Sequence, residues 1–345
     1  MGALVELSLP GLVAAFLGSA AAIGFAGTRL AHVADTLADR TGMGEILAGA
    51  VFVGASTSLP GVITSVTTAW EAHPQLAIGN ALGGLTAQTA FLVIADMAYR
   101  RANLEHAAAS VTGLAQATLL VTMLAVPLLA ASGPDITVFH IHPASVALFA
   151  IYGVGIRLLV GVKDVPMWHP VDTSATVDEE EQAEAMASDS RSDRALWLAF
   201  SLYAGITAVA GYAIGESSIG IVRTTGISET AFGTLVTAVA NSLPELVTAV
   251  AAVRIGAVNL AVGDIVGGNA FEVLFLAAAD FAYLDGSIYA EFTARNVFTA
   301  VTVIMMTGVL ILGMLHRERH GPANIGWESA TILGLYVMSA VVLFA

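Results

Sequence analysis

The sequence predicts an all-α membrane protein of about ten transmembrane helices, arranged as two inverted five-helix repeats with broken helices at the bilayer midplane. Three observations carry that expectation. The 345 residues are 57% hydrophobic and only 12% charged, against roughly 25% charge in soluble domains. Apolar runs of about 20 residues, the length that spans a bilayer, recur from end to end. Two phrases bearing proline and glycine, "TSLPGVITSV" at 57–66 and "NSLPELVTAV" at 241–250, repeat each other inside such runs.

The spans follow in order. The opening "MGALVELSLPGLVAAFLGSAAAIGFAG" lacks the basic start and cleavage site of a signal peptide, so its apolar run near 9–30 is expected to stay as the first span. Spans two and three, near 43–71 and 74–99, hold Pro60 and then Gly79, Gly83 and Gly84. Spans four and five lie near 104–131 and 142–162. A polar, acidic stretch over 164–193 then reads as a solvated linker. Spans six to ten fall near 195–221, 228–253, 257–283, 293–315 and 324–345. The expected organisation is a first repeat over 1–163, the linker over 164–193 and a second repeat over 194–345.

Of the twelve arginines and the single lysine, Lys163, only Arg223 and Arg295 fall on one side of this plan, while the rest cluster on the other. Positive charge marks the cytoplasmic side. The chain is thus expected to be integral to the membrane, the plasma membrane in this reading, with both termini outside and the linker cytoplasmic. Trp70, Trp168, Trp197 and Trp327 fall near span ends, as interfacial anchors do.

The repeat is specific. Ser242 lies 184 positions after Ser58, and that offset aligns 58–96 with 242–280 without a gap, bringing a proline and three glycines into register. Five spans, an odd number, separate the copies, so the second would cross the bilayer in the opposite sense. Secondary transporters use that plan, placing the ion site where discontinuous helices of both halves meet.

Composition also excludes. The absence of cysteine removes disulfides, thiolate ligands and cysteine nucleophiles. A net charge of −14 without a basic stripe argues against nucleic acid. No phosphate loop or hydrolase triad is present, so the chain reads as a non-enzyme without cofactor, driven by an ion gradient. His140 and His142 read as interfacial residues rather than zinc ligands. Gly263 and Asp264, with Asp285 downstream, suggest an intramembrane aspartyl protease, but Ala261 stands where that motif needs glycine.

The two phrases carry the chemistry. Pro244 has no N–H, so the Ala240 carbonyl loses its helical partner, and Pro60 does the same to Ser56; in hydrocarbon such an orphan costs several kcal/mol unless something satisfies it. Asn241 and Ser242 precede Glu245 by four and three residues and Thr248 follows by three, so all four are expected to share one helical face, and an oxygen-rich face with one charge suits hard cations such as Ca2+ or Na+. The first copy offers Thr57, Ser58, Gly61 and Thr64, with no carboxylate. In the following spans the offset pairs Gln88 with Glu272 and Asn80 with Asp264. Glu272 sits deep in an apolar run, where an ionisable group is expensive and a functional role is the first hypothesis.

"GISETAFGTLVTAVANSLPELVTAV" (226–250) with "AVGDIVGGNAFEVL" (261–274), and "TGMGEILAGAVFVGASTSLPGVITSV" (41–66) with "AIGNALGGLTAQTAFL" (77–92), resemble the paired repeats of the calcium/cation antiporter superfamily, which includes Na+/Ca2+ exchangers. The resemblance implies that Glu245 is a shared Ca2+/Na+ ligand, with Asn241, Ser242, Thr57 and Ser58 at the neighbouring polar positions. It places the amide and acid ligands of the second broken helices at Gln88 and Glu272, and implies that spans one and six slide to alternate access. Three departures stand out: Gly61 replaces a glutamate, Gly84 and Gly268 replace serines, and Leu85 replaces an asparagine that Asn269 retains. Asp264 is expected to substitute in part for the missing acid. The expected function is cation antiport, Na+ against Ca2+, with inorganic cations and the lipid bilayer as partners and the oligomeric state open. A proton-coupled or monovalent exchanger, a channel and a non-transporting sensor are the alternatives.

Overall fold

The computed structural model describes residues 4–41, 52–99, 101–164, 170–171, 173, 191–319, 321 and 325–344. Most of the expected linker over 164–193, and the start of the second expected span, lie outside the described residues.

The first half runs α1 (Leu9–Thr41), α2 (Gly54–Thr57), α3 (Leu59–Trp70), α4 (Pro74–Ala98), α5 (Leu104–Ala107), α6 (Val111–Ser132) and α7 (Pro143–Asp164). The second runs α8 (Asp193–Thr225), α9 (Glu229–Asn241), α10 (Leu243–Ile255), α11 (Val258–Ala282), α12 (Ala294–His316) and α13 (Trp327–Phe344). Among the described residues eight helices are long and apolar enough to cross a bilayer, and α9 with α10 makes a ninth, bent by 49°. The fold is all-helical, as expected; one isolated bridge joins Val138 to Ile141.

Local chemistry sets the helix ends. Pro74 opens α4, where a missing N–H does no harm. The Ser192 hydroxyl accepts from Ala195 N at the start of α8, and Thr293 with Asn296 forms a capping box on α12. Helices α8 and α10 stop at Gly226 and Gly256, at φ +71° and +89°, a left-handed backbone that glycine adopts without strain. The bend between α9 and α10 follows a π-helical turn at Gly233–Thr237 and coincides with Pro244 in the first turn of α10.

Helix bounds carry the repeat much further than letters do. Moving 184 positions takes Leu9–Thr41 to Asp193–Thr225 and Pro74–Ala98 to Val258–Ala282. Contacts repeat as well. A Cβ on Gly27 of α1 would lie 2.4 Å from Pro244 Cγ, and one on Gly211 of α8 would lie 2.5 Å from the Pro60 carbonyl oxygen. Each long helix therefore lies against the broken helix of the other half. Helices α4 and α11 form the centre, with 94% and 72% of their spanning windows buried, against 22% for α1 and 28% for α8.

Three expectations need correction. The fourth span, expected over 104–131, divides into α5 and α6, because Ser110 caps a new helix through Gly113 N. Helix α1 continues to Thr41 rather than ending near 30, so Arg29 lies within it, its guanidinium 4.7 Å from the Phe25 ring centroid. The single helical face of Asn241, Ser242, Glu245 and Thr248 does not exist, because the chain bends at Ser242; Thr248 instead bonds the Glu245 carbonyl at 3.1 Å.

Candidate ion site at the two helix breaks

The breaks between α2 and α3 and between α9 and α10 lie together, packed against α4 and α11. Glu245 in the first turn of α10 and Glu272 on α11 are 7% and 4% exposed, and each lies within electrostatic reach of the other. Gln88 on α4 joins the halves: its Nε2 donates to Glu272 Oε1 at 2.6 Å and to Ser242 Oγ at 3.2 Å. Gln88 and Glu272 are repeat mates, 184 positions apart. Mates that touch must lie on the axis relating the halves, so this contact marks the centre of the site. The Thr57 hydroxyl donates to the Gly54 carbonyl at 3.1 Å and stands beside the Glu245 carboxylate from the first break.

Three oxygens are left over. Glu245 Oε2, Glu272 Oε2 and Gln88 Oε1 are buried without a hydrogen-bond partner. Buried oxygens are rarely orphaned, since each one costs roughly 1–3 kcal/mol, and more when charged. A cation coordinated among them would relieve all three, and a proton on either carboxylate would join two of them. Among the described residues no three acidic or histidine side chains converge as a metal cage; the site offers two carboxylates with neutral oxygens around them.

The other expected residues divide by role. Asn241 donates from Nδ2 to Asn80 Oδ1 at 2.8 Å, and Asn80 Nδ2 donates to the Gly61 carbonyl at 3.0 Å and Ser65 Oγ at 2.8 Å. This amide chain fastens one break to the other. Ser58 is buried at the first break. Asp264 is half-buried about two turns before Glu272, in electrostatic reach of Glu245 and Asp35 but outside the hydrogen-bonded set. Asp285 lies beyond the end of α11, about 30 Å along the axis from Asp264, so the two cannot form a protease dyad.

Two departures now have a steric cause. A Cβ on Gly61 would lie 2.5 Å from Phe275 Cε2, so the aromatic ring of the second half fills the space a glutamate would need. A Cβ on Gly84 would lie 2.5 Å from Glu272 Oε2, so that carboxylate takes the place of a serine side chain. Leu85 is fully buried, and Asn269 turns to donate to Thr89 Oγ1 at 3.0 Å.

The profile of the family described as sodium/calcium exchanger protein matches residues 11–161 and again 195–345. The chain belongs to the sodium/calcium exchanger family. The two matches are themselves 184 positions apart. The inner membrane protein YrbG of Escherichia coli is 27% identical over 311 residues, covering 87% of each chain. The sodium/calcium exchanger MaX1 of Methanosarcina acetivorans is 33% identical over 129 residues, covering 37% of this chain and 35% of that one. Among solved structures, the H+/Ca2+ exchanger CAX superposes with a TM-score of 0.68 at 14% identity, covering 96% of this chain and 85% of that one. At that identity the likeness speaks for the fold alone.

Within this exchanger, reasoning from sequence missed Asn80, Ser65 and Phe275 as parts of the site. Asn80 had a signal, a polar residue in an apolar run paired with Asp264 by the offset. Phe275 had none, because its contact with Gly61 crosses from one half to the other.

Proposed function

We propose that this exchanger carries Ca2+ against Na+, with Glu245 and Glu272 as charged ligands at the interface of two inverted repeats. The observation that carries the reading is the group of three unpartnered buried oxygens on Glu245, Glu272 and Gln88. At an effective dielectric of about 20, each carboxylate at 4 Å contributes roughly 8 kcal/mol towards a divalent ion before desolvation is subtracted. Two carboxylates balance one Ca2+, so competition for the same pair couples the opposing fluxes. Thr57, Ser58, Ser242 and Gln88 supply neutral oxygens, Asn241 holds the breaks together, and Asp264 adds negative charge within electrostatic reach of Glu245. The close packing of α1 on α10 and of α8 on α3 fits two long helices that slide past the site to expose it alternately.

A proton-coupled reading is supported by Phe275. With its ring in the space of a third carboxylate, the pocket holds charge for one divalent ion or two protons and has less room for several Na+. Calcium uptake into proteoliposomes, driven by an outward Na+ gradient in one series and a pH gradient in another, separates the two. Glu245→Gln and Glu272→Gln are each expected to reduce uptake at least about a hundredfold, equivalent to roughly 2.7 kcal/mol. Flux indifferent to both gradients indicates a channel and overturns antiport.

A further inference from the structure

The repeat builds the same cap at two places. At the end of α4, Asp96 Oδ1 accepts from Leu104 N at 2.8 Å and Oδ2 from Ser329 Oγ at 2.8 Å. At the end of α11, Asp280 Oδ1 accepts from Ile288 N at 2.9 Å and Oδ2 from Ser145 Oγ at 2.7 Å. All three pairs, Asp96 with Asp280, Leu104 with Ile288 and Ser145 with Ser329, obey the 184-residue spacing. The caps then diverge. Beside Asp280 stands Tyr289, whose hydroxyl meets Ser145 at 2.9 Å, and position 144 is alanine. Beside Asp96 the matching positions are Glu105 and Glu328, 1% and 0% exposed. The cap on Asp280 closes without a glutamate pair, so the fold does not require one beside Asp96.

The Glu105 and Glu328 side chains approach as hydrogen-bond partners, yet two ionised carboxylates have no donor between them. Glu105 Oε2 and both oxygens of Glu328 are unpartnered. The charges nearby do not compensate. Asp96 of α4 acts on both glutamates and Glu318, between α12 and α13, acts on Glu328, all with negative sign. The Arg317 guanidinium donates instead to the Val171 and His106 carbonyls, and the His106 ring bonds Thr173 Oγ1 and the Arg317 carbonyl.

We infer that Glu105 and Glu328 form a proton-binding site separate from the ion site: one carboxyl keeps its proton and donates it to the other, and this bond holds the corner of α4, α5 and α13. Burial, and then the negative charges of Asp96 and Glu328, push the Glu105 carboxyl from 4.5 up to about 8. The folded group binds its proton more tightly than the unfolded one. Stability from this site is therefore full below 4.5 and is lost as pH rises through about 8.

The test follows the thermal stability of the full chain in nanodiscs from about pH 5 to about pH 9. The wild-type Tm is expected to fall by several degrees more than that of the Glu105→Gln/Glu328→Gln variant, whose amides supply donors at every pH. Parallel profiles overturn the site. So does a Ca2+-induced rise in Tm that persists in a Glu245→Gln/Glu272→Gln background and disappears when Glu105→Gln is added, because the acids then hold a metal. Should the variants not fold, hydrogen exchange on the wild type decides. The Leu104 amide is expected to lose protection relative to the Ile288 amide, its counterpart in the other cap, as pH passes about 8; equal protection throughout refutes the inference.

Discussion

At the scale of single residues, exclusion matters as much as attraction. Gly61 is glycine because Phe275 occupies its side-chain space, and Gly84 because the Glu272 carboxylate does. Restoring the glutamate alone therefore adds a charge where no room exists. Gly61→Glu is expected to lower Tm without strengthening Ca2+ binding. Phe275→Ala alone opens a cavity and costs roughly 3–5 kcal/mol. Gly61→Glu/Phe275→Ala is expected to recover part of that loss when Ca2+ is present and to bind Ca2+ at least about tenfold more tightly than wild type, or roughly 1.4 kcal/mol. Isothermal titration on all three checks this; tighter binding by Gly61→Glu alone shows that the ring yields. Glu245, Glu272 and Gln88 stood out as candidates in the sequence because an acid or amide in an apolar run has few structural reasons to be there. The ring over Gly61 was not, since Phe275 looks like any other core phenylalanine until the halves are docked.

At the scale of elements, α1 and α8 differ from the central helices in length and exposure. At 33 residues each they extend about 50 Å, longer than the roughly 30 Å hydrocarbon core, and only Gly27 and Gly211 let them lie close to the proline-bearing turns of the opposite half. Gly27→Ala and Gly211→Ala should each lower Tm. Gly211 is expected to be the worse, because its added methyl meets the Pro60 carbonyl, part of the backbone. Gly18 and Gly205 are controls on the same two helices, with nothing within 4 Å of an added Cβ. Alanine there should be neutral or stabilise by roughly 0.5–1 kcal/mol. Equal losses at all four positions, read by thermal melts, would mean that glycine serves helix flexibility rather than contact. Sequence located these helices by hydropathy but misjudged where α1 ends, since the helix runs on past the apolar run through 31–41, a more polar segment with no proline or glycine to stop it. It also missed the bend at Ser242, which alters the facing of every side chain beyond it.

For the whole molecule, the question is whether the two halves are inverted across the bilayer or merely repeated. Letters supported the repeat over 58–96 and 242–280. The helix bounds, the two family matches and the Gly–Pro and Asp–Ser contacts extend the same spacing to nearly the whole chain. In those regions small and apolar residues dominate both halves, so letter-by-letter comparison is uninformative and the relation is carried by helix bounds and contacts. Inversion makes a sharp prediction about sidedness. Ser8 and Ser192, repeat mates just before α1 and α8, are both exposed. In a tandem repeat they face the same compartment; in an inverted one they face opposite compartments. The chain has no cysteine, so Ser8→Cys and Ser192→Cys each introduce a single thiol with no background. With intact cells and a membrane-impermeant maleimide, Ser8→Cys is expected to label from outside and Ser192→Cys only after permeabilisation, because arginines gather on the Ser192 side. Labelling of both from one side would leave the proline-broken helices α3 and α10 entering from the same face, and the alternating exposure of a shared site would lose its symmetry basis.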